Sequence, residues 1–179
     1  MACTLSTSLD GTTACPPPSP GLDEAYCWLA NRADVTFTGG TGHVYTDITA
    51  GAGDLYRWKF HRKGFDFTEE AAENDTTGAV SFAQALTGRI LDLSGASAAA
   101  IDSLRGTDLV AIVKTKAGKV LVFGSTGEGL RLKANTAASA ADNYGESLTL
   151  GNDESSAKYY QLLDTDLATT LAALVALEA

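Results

Sequence analysis

Val80-Ser81-Phe82-Ala83-Gln84-Ala85-Leu86, then Ser97-Ala98-Ala99-Ala100-Ile101-Asp102-Ser103-Leu104-Arg105, then the apolar runs Leu109–Val113 and Val120–Phe123 all lie within Ala79–Phe123. The reading of this stretch decides the fold. The first segment alternates with period two, as a strand does. The second carries helix punctuation: Ser97 is suited to cap the first turn, and Gly106 can take a left-handed conformation past its end. Ala98, Ile101 and Leu104 fall three apart, which gives the helix an apolar stripe to lay on a sheet. The two closing runs are apolar on both alternating faces, the signature of central strands. Between them Lys116-Ala117-Gly118-Lys119 supplies the glycine of a three-residue hairpin with a bulge. Strand, helix, hairpin is the expected unit.

Outward from this unit the pattern stays mainly β. Toward the N-terminus, Tyr26, Trp28, Leu29, Val35 and Phe37 suggest two strands joined by a turn at Asn31-Arg32. Val44–Thr49 alternates and is β-branched, another strand. Leu55–Glu70 reads as a hairpin turning at Arg62-Lys63-Gly64. Tyr56, Trp58 and Phe60 share one face, Phe65 and Phe67 return, and Arg57, Lys59 and His61 sit opposite Asp66, Glu69 and Glu70. Glu69–Gly78 is acidic and polar, hence a loop. Toward the C-terminus, Leu130–Lys133, Glu146–Leu150 and Lys158–Leu163 read as strands, with an Ala/Ser/Thr-rich loop over Asn135–Asn143. Asp166 caps a last helix with Leu167, Leu171, Leu174 and Val175 on one face. About ten short strands with frequent turns indicate an antiparallel β-sandwich or barrel.

The division expected is an extended arm over 1–22, a β domain over 23–165 and a C-terminal helix over 166–179. All four prolines lie in the arm, in Pro16-Pro17-Pro18-Ser19-Pro20, where fixed φ angles favour an extended chain. At 179 residues the chain can bury a proper core. No apolar run approaches the ~20 residues needed to span a bilayer, and Met1–Ser6 has neither the basic stretch nor the apolar core of a secretory signal. A net charge of −9 opposes non-specific binding to nucleic acid. Cys3, Cys15 and Cys27 are spaced by twelve, which matches no zinc pattern. They read as reduced, partly buried thiols.

The residues do not assemble into a catalytic signature. Thr38-Gly39-Gly40-Thr41-Gly42-His43-Val44 looks at first like a dinucleotide loop. Tyr45 stands where the third glycine belongs, and a strand follows in place of a helix, so the glycines read as turn formers. Asp23-Glu24, Glu69-Glu70 and Asp153-Glu154 are adjacent carboxylates, which point apart on a strand and are solvated in a loop. His43 and His61 could be paired only by the fold. Ser94-Gly95-Ala96-Ser97 lacks the nucleophile-elbow form, and Asp142-Asn143-Tyr144-Gly145-Glu146 lacks EF-hand spacing. The expectation is a protein with no catalytic, metal or cofactor residues.

Three stretches, Gly21–Asp34 (GLDEAYCWLANRAD), Leu91–Lys116 (LDLSGASAAAIDSLRGTDLVAIVKTK) and Asp142–Glu154 (DNYGESLTLGNDE), together with the order of elements, the acidic balance and the extended termini, resemble the tail tube (major tail) proteins of tailed bacteriophages. The resemblance implies a β-sandwich or barrel assembling with copies of itself into hexameric rings. The rings stack into a tube in the virion tail, built in the host cytoplasm, that meets other tail proteins and no membrane. DNA passes through it without specific binding, and sheet faces line the lumen. Tyr56, Trp58, Phe60, Phe65, Phe67, Leu171, Leu174 and Val175 are the expected subunit contacts, with the arm. On this reading residues 166–179 can be removed, or Trp58 charged, leaving a folded monomer that fails to polymerise. A connector, terminator or decoration protein of the virion, or a ligand-binding β-sandwich using Trp58 and Tyr144, are the other readings.

Overall fold

In a computed structural model of the chain, residues 21–39, 42–61, 64–73, 79–140, 144–153 and 158–179 are described. The arm over 1–20, with Cys3 and Cys15, lies outside them. So do the Arg62-Lys63 turn and the Asp142-Asn143 segment.

The fold is mainly β. Among the described residues twelve strands run in chain order: β1 (Leu22–Asn31), β2 (Val35–Thr38), β3 (Val44–Tyr45), β4 (Asp47–Ala50), β5 (Tyr56–Trp58), β6 (Asp66–Glu73), β7 (Val80–Ile90), β8 (Leu109–Thr115), β9 (Val120–Phe123), β10 (Arg131–Ala138), β11 (Gly145–Gly151) and β12 (Tyr160–Leu162). Helix α1 (Gly95–Asp102) separates β7 from β8, and α2 (Leu167–Ala176) ends the chain. A six-stranded sheet in the order β3-β12-β9-β8-β1-β5 faces a four-stranded sheet in the order β10-β11-β7-β6, and β2 pairs with β4 in a small hairpin. All pairings are antiparallel except β12 with β3.

The six-stranded sheet is buried on both faces, and this is why its central strands carry unbroken apolar runs. Cys27, Leu29, Ala111, Val113, Leu121 and Phe123 turn inward to meet Leu86, Leu148 and Leu150 of the other sheet, with Ile101 and Leu104 entering from the α1 segment. Trp28, Ala30, Val110, Ile112, Val120 and Val122 turn outward into a second core closed by Val35 and Ile48 of the small hairpin and by Leu174 of α2. The protein is a β-sandwich with a third, partial layer.

Local punctuation follows the sequence with one shift. Gly106 (φ 71°) and Gly118 (φ 79°) take the left-handed conformation their positions require. The α1 cap is Ser94, whose hydroxyl oxygen accepts the Ser97 N–H at 3.2 Å, so the helix starts one turn before the expected cap. Ala98 is exposed, and the buried stripe begins at Ile101. Asp166 caps α2 as expected, accepting the Thr169 N–H at 2.8 Å. That bond holds the Asp166 carboxyl below the usual range. A carboxyl depressed in the folded state contributes stability above its unfolded pKa and loses it as the pH falls through the folded value. Loss of α2 amide protection in acid, below about pH 4, is therefore expected in the parent. It should be blunted in Asp166→Asn, which keeps a capping oxygen without a titrating proton. Hydrogen exchange across 167–176 measures this, and equal acid sensitivity in both proteins would refute it.

The aromatic hairpin of Leu55–Glu70 does not form. β5 pairs with β1, placing Cys27, Trp28 and Leu29 opposite Trp58, Arg57 and Tyr56. β6 instead pairs with β7 along its whole length, from Asp66 opposite Thr87 to Glu73 opposite Val80. The chain crosses from one sheet to the other between them, and stacked Phe60 and Phe65 (centroids 4.8 Å apart) fill the corner. The cross-strand charge match is accordingly absent: Arg57 meets Glu178 at 3.5 Å, from the far end of the chain. Residues 69–73 and 135–138, both expected in loops, are strand.

Candidate functional site

The expected contact residues separate into two groups. Phe60 and Phe65 are buried in the inter-sheet core and Leu174 is fully buried in the outer one, so all three are corrected from assembly contacts to core residues. The ring of Phe60 lies where a side chain on Gly88 of β7 would project, 2.4 Å from an ideal Cβ, which is why that strand carries glycine there. Trp58, Phe67 and Leu171 are half-buried against the cores. Tyr56 and Val175 remain open, at 52% and 47% exposure. Removing 166–179 would uncover Trp28, Leu55 and Ile112, so that truncation is expected to unfold the outer layer and not to leave an intact monomer.

The titratable groups weighed in the sequence are placed as follows. His43 packs at a tilt against Tyr160 (4.9 Å), which stacks on Tyr45 (4.3 Å), which in turn stacks on Phe37 (5.0 Å). The Tyr45 hydroxyl donates to Ser125 Oγ at 3.2 Å, and burial raises its pKa against that bond. His61 continues the β5 segment, its backbone N–H donating to the Arg89 carbonyl at 2.6 Å. Cys27 is fully buried, and loss of hydration pushes its thiol far above the usual range, so it is inert in the folded chain. Among the described residues no group of three or more His, Cys, Asp or Glu is arranged to hold a metal ion. Nor, among the described residues, is any helix long and apolar enough to cross a membrane.

The buried polar groups that sequence reading missed form a clamp between the sheets. Gln84 is 2% exposed. Its carbonyl accepts the Gly124 N–H (3.0 Å) and its amide donates to Glu69 Oε2 (3.0 Å), which also accepts the Tyr159 N–H (2.8 Å). The Gln84 backbone exchanges bonds with Asn152, whose side chain reaches the Glu128 carbonyl. A polar residue on the inward phase of an apolar strand was the available signal.

The most distinctive surface is the four-stranded sheet. Its outer strands β6 and β10 are each eight residues long, and neither pairs with a further strand among the described residues. β6 carries Asp66, Glu69, Glu70 and Glu73, while β10 opens with Arg131 and Lys133, which pair with Asp108 (2.5 Å) and Asp153 (2.6 Å). The outward face between them is built mostly of small residues, Ser81, Ala83, Ala85 and Thr87 on β7, Ser147 and Thr149 on β11, with Arg89 beside Ser147 donating to the Tyr144 carbonyl. Compared with known proteins, the chain matches no family model, no curated protein and no solved structure.

Proposed function

We propose that the chain is a structural subunit that assembles with copies of itself into rings stacked as a phage tail tube. The observation that carries this reading is the pair of long open edges on the four-stranded sheet. An uncovered edge presents unpaired N–H and C=O groups to any neighbouring strand. Here the two edges belong to one sheet and are equally long, eight residues each, so the β6 edge of one copy can pair along its length with the β10 edge of the next. Such a contact is heterologous, and repeating it closes a ring when the rotation per copy permits. The small, hydroxyl-rich outer face would then become one wall of the ring. With an acidic rim from Asp66 and Glu70, and with Arg89 held on the Tyr144 carbonyl, that wall would offer DNA little to hold.

Two proline variants test this. Successive residues of a strand turn their N–H groups to opposite sides, so of Ala71→Pro and Ala72→Pro one breaks a bond to β7 and the other only blocks the open side. The parent is expected to form rings or tubes in negative-stain images at high concentration. One of the two variants should retain the parental circular dichroism and melt yet remain monomeric by sedimentation. A parent that stays monomeric at high concentration, or tubes from both variants, would overturn the reading.

A further inference from the structure

We propose that the cleft between α1 and the β10–β11 pair binds an alkyl cation, an ammonium or guanidinium group on an aliphatic stem, with Glu146 as its anchor. The observation behind it is a buried carboxylate left without a counter-charge. Glu146 is 5% exposed and stands on the inward phase of β11, in step with Leu148 and Leu150 of the inter-sheet core. Its neighbours in register are Ala137 on β10 and Ile90 on β7, neither of which can balance a charge. Its Oε2 accepts from the Asn135 amide at 3.1 Å. Among the described residues no ion pair reaches it. A carboxylate taken out of water is ordinarily paired with a cation, because one neutral amide does not replace its hydration. A glutamine would keep the Asn135 bond and a leucine would continue the apolar phase, so neither hydrogen bonding nor packing explains an acid at this position.

Space for that counter-charge adjoins the carboxylate. Glu146 and Asn135 line one side of a cleft of about 390 Å³, and α1 with the turn after it lines the other. Ala98, Ala99, Ile101 and Leu132 make its walls apolar, and Asp102 brings a second carboxylate. Ala98, Ala99 and Asp102 are exposed, so the cleft opens to solvent. The cation already at hand is engaged elsewhere: Arg105 also lines the cleft, but its Nε donates to Asp102 Oδ1 at 2.9 Å and its side chain is mostly exposed. The walls select the ligand. A hard metal ion needs several oxygen ligands, and among the described residues no group of three or more His, Cys, Asp or Glu is arranged to hold one. An ammonium or guanidinium on a short hydrocarbon stem suits both surfaces, with its head on the acid and its stem along the alanines, Ile101 and Leu132. Two sources carry that chemistry, a free amine and a Lys or Arg side chain of a second copy. The cleft itself is complete within one chain and needs no ring.

The test is methyl NMR on the full chain labelled at Ala, Ile and Leu, at a concentration where it is monomeric, titrated with n-butylammonium chloride at constant ionic strength. The Ala98, Ile101 and Leu132 methyls are expected to shift saturably. With n-butanol, the same stem without the charge, they should not saturate. Glu146→Gln keeps an oxygen for the Asn135 amide and should weaken amine binding roughly tenfold. Ala98→Phe, a change at an exposed position that fills the mouth of the cleft, should weaken it at least as much and serves if the glutamine variant does not fold. No saturable shift in the parent, equal affinity for butanol, or unchanged amine affinity in either variant would overturn the proposal. A second arm separates the sources by raising the parent concentration without amine. Movement of the same methyls, absent in Glu146→Gln, assigns the cation to a neighbouring copy, and methyls that stay in place while the amine still binds assign it to a free amine.

Discussion

Trp28→Ala is expected to lower the melting midpoint of the protein by roughly 10 °C. Trp28 is fully buried in the outer core, flanked by Val110, Ile112, Leu55 and Leu174. Truncating a buried aromatic costs about 3–5 kcal/mol through lost transfer energy and the cavity left behind, and a domain of this size shifts about 2–4 °C per kcal/mol. A second loss adds to the first. The indole N–H donates to Glu178 Oε1 at 2.7 Å, and the same carboxylate meets Arg57 at 3.5 Å, while the guanidinium lies over Tyr26 (4.9 Å) and Trp28 (5.9 Å). Trp28 thus anchors both the α2 layer and the terminal residues. Trp28→Phe separates the contributions, keeping most of the packing while leaving Glu178 without its indole donor, at about 1–2 kcal/mol. Thermal melts followed by circular dichroism read the stability, and hydrogen exchange over 167–176 reads the docking of α2. A loss under about 1 kcal/mol for the alanine variant, with α2 protection unchanged, would show that the helix is not seated on this residue.

Gln84→Leu is expected to cost about 2–4 kcal/mol although it makes the core more apolar. The substitution preserves size and removes a side chain that joins β7 to the Gly124 turn and to Glu69 at once. What remains is a buried Gly124 N–H without its acceptor and a Glu69 carboxylate supported by the Tyr159 N–H alone. A buried polar group stranded this way costs about 1–3 kcal/mol, more when charged. Gln84→Glu should be worse at neutral pH and partly recover in acid. Two facing carboxylates raise each other's folded pKa, so their stability is present below the unfolded value and lost as pH rises through the folded one. Urea unfolding at pH 4.5 and 7 distinguishes the cases, and a Leu variant as stable as the parent would remove the clamp from the account.

Much of this fold was legible where local chemistry settles it. The double-sided apolar runs of β8 and β9, the left-handed glycines at 106 and 118 and the Asp166 cap each depend on a few neighbouring residues. Partner choice was not legible, because alternation looks the same whichever strand lies alongside. Tyr56-Arg57-Trp58 could pair with Phe65–Thr68 or with Cys27–Leu29, and only the three-dimensional competition favoured the longer apolar strand. Asn135–Ala138 escaped notice because Asn and Ala are depleted in strands and outnumber the one strand former, Thr136, and the β11 ladder supplies the order. The contact residues were over-read for a related reason: an aromatic suits a core and an interface equally. Gly88 held a clue to Phe60, since a glycine inside a strand often marks the seat of a large ring.

The two-faced burial of the six-stranded sheet has a consequence for biogenesis. Leu109–Val113 and Val120–Phe123 leave the ribosome well before α2, the element that covers their outer side. Until α2 emerges, a greasy sheet surface stands bare in a crowded cell, guarded by Lys114 at the end of β8 and by Lys116 and Lys119 at the turn, which act as gatekeepers against clumping. The docking of α2, more than any earlier moment of synthesis, is when this sheet becomes safe from its own stickiness.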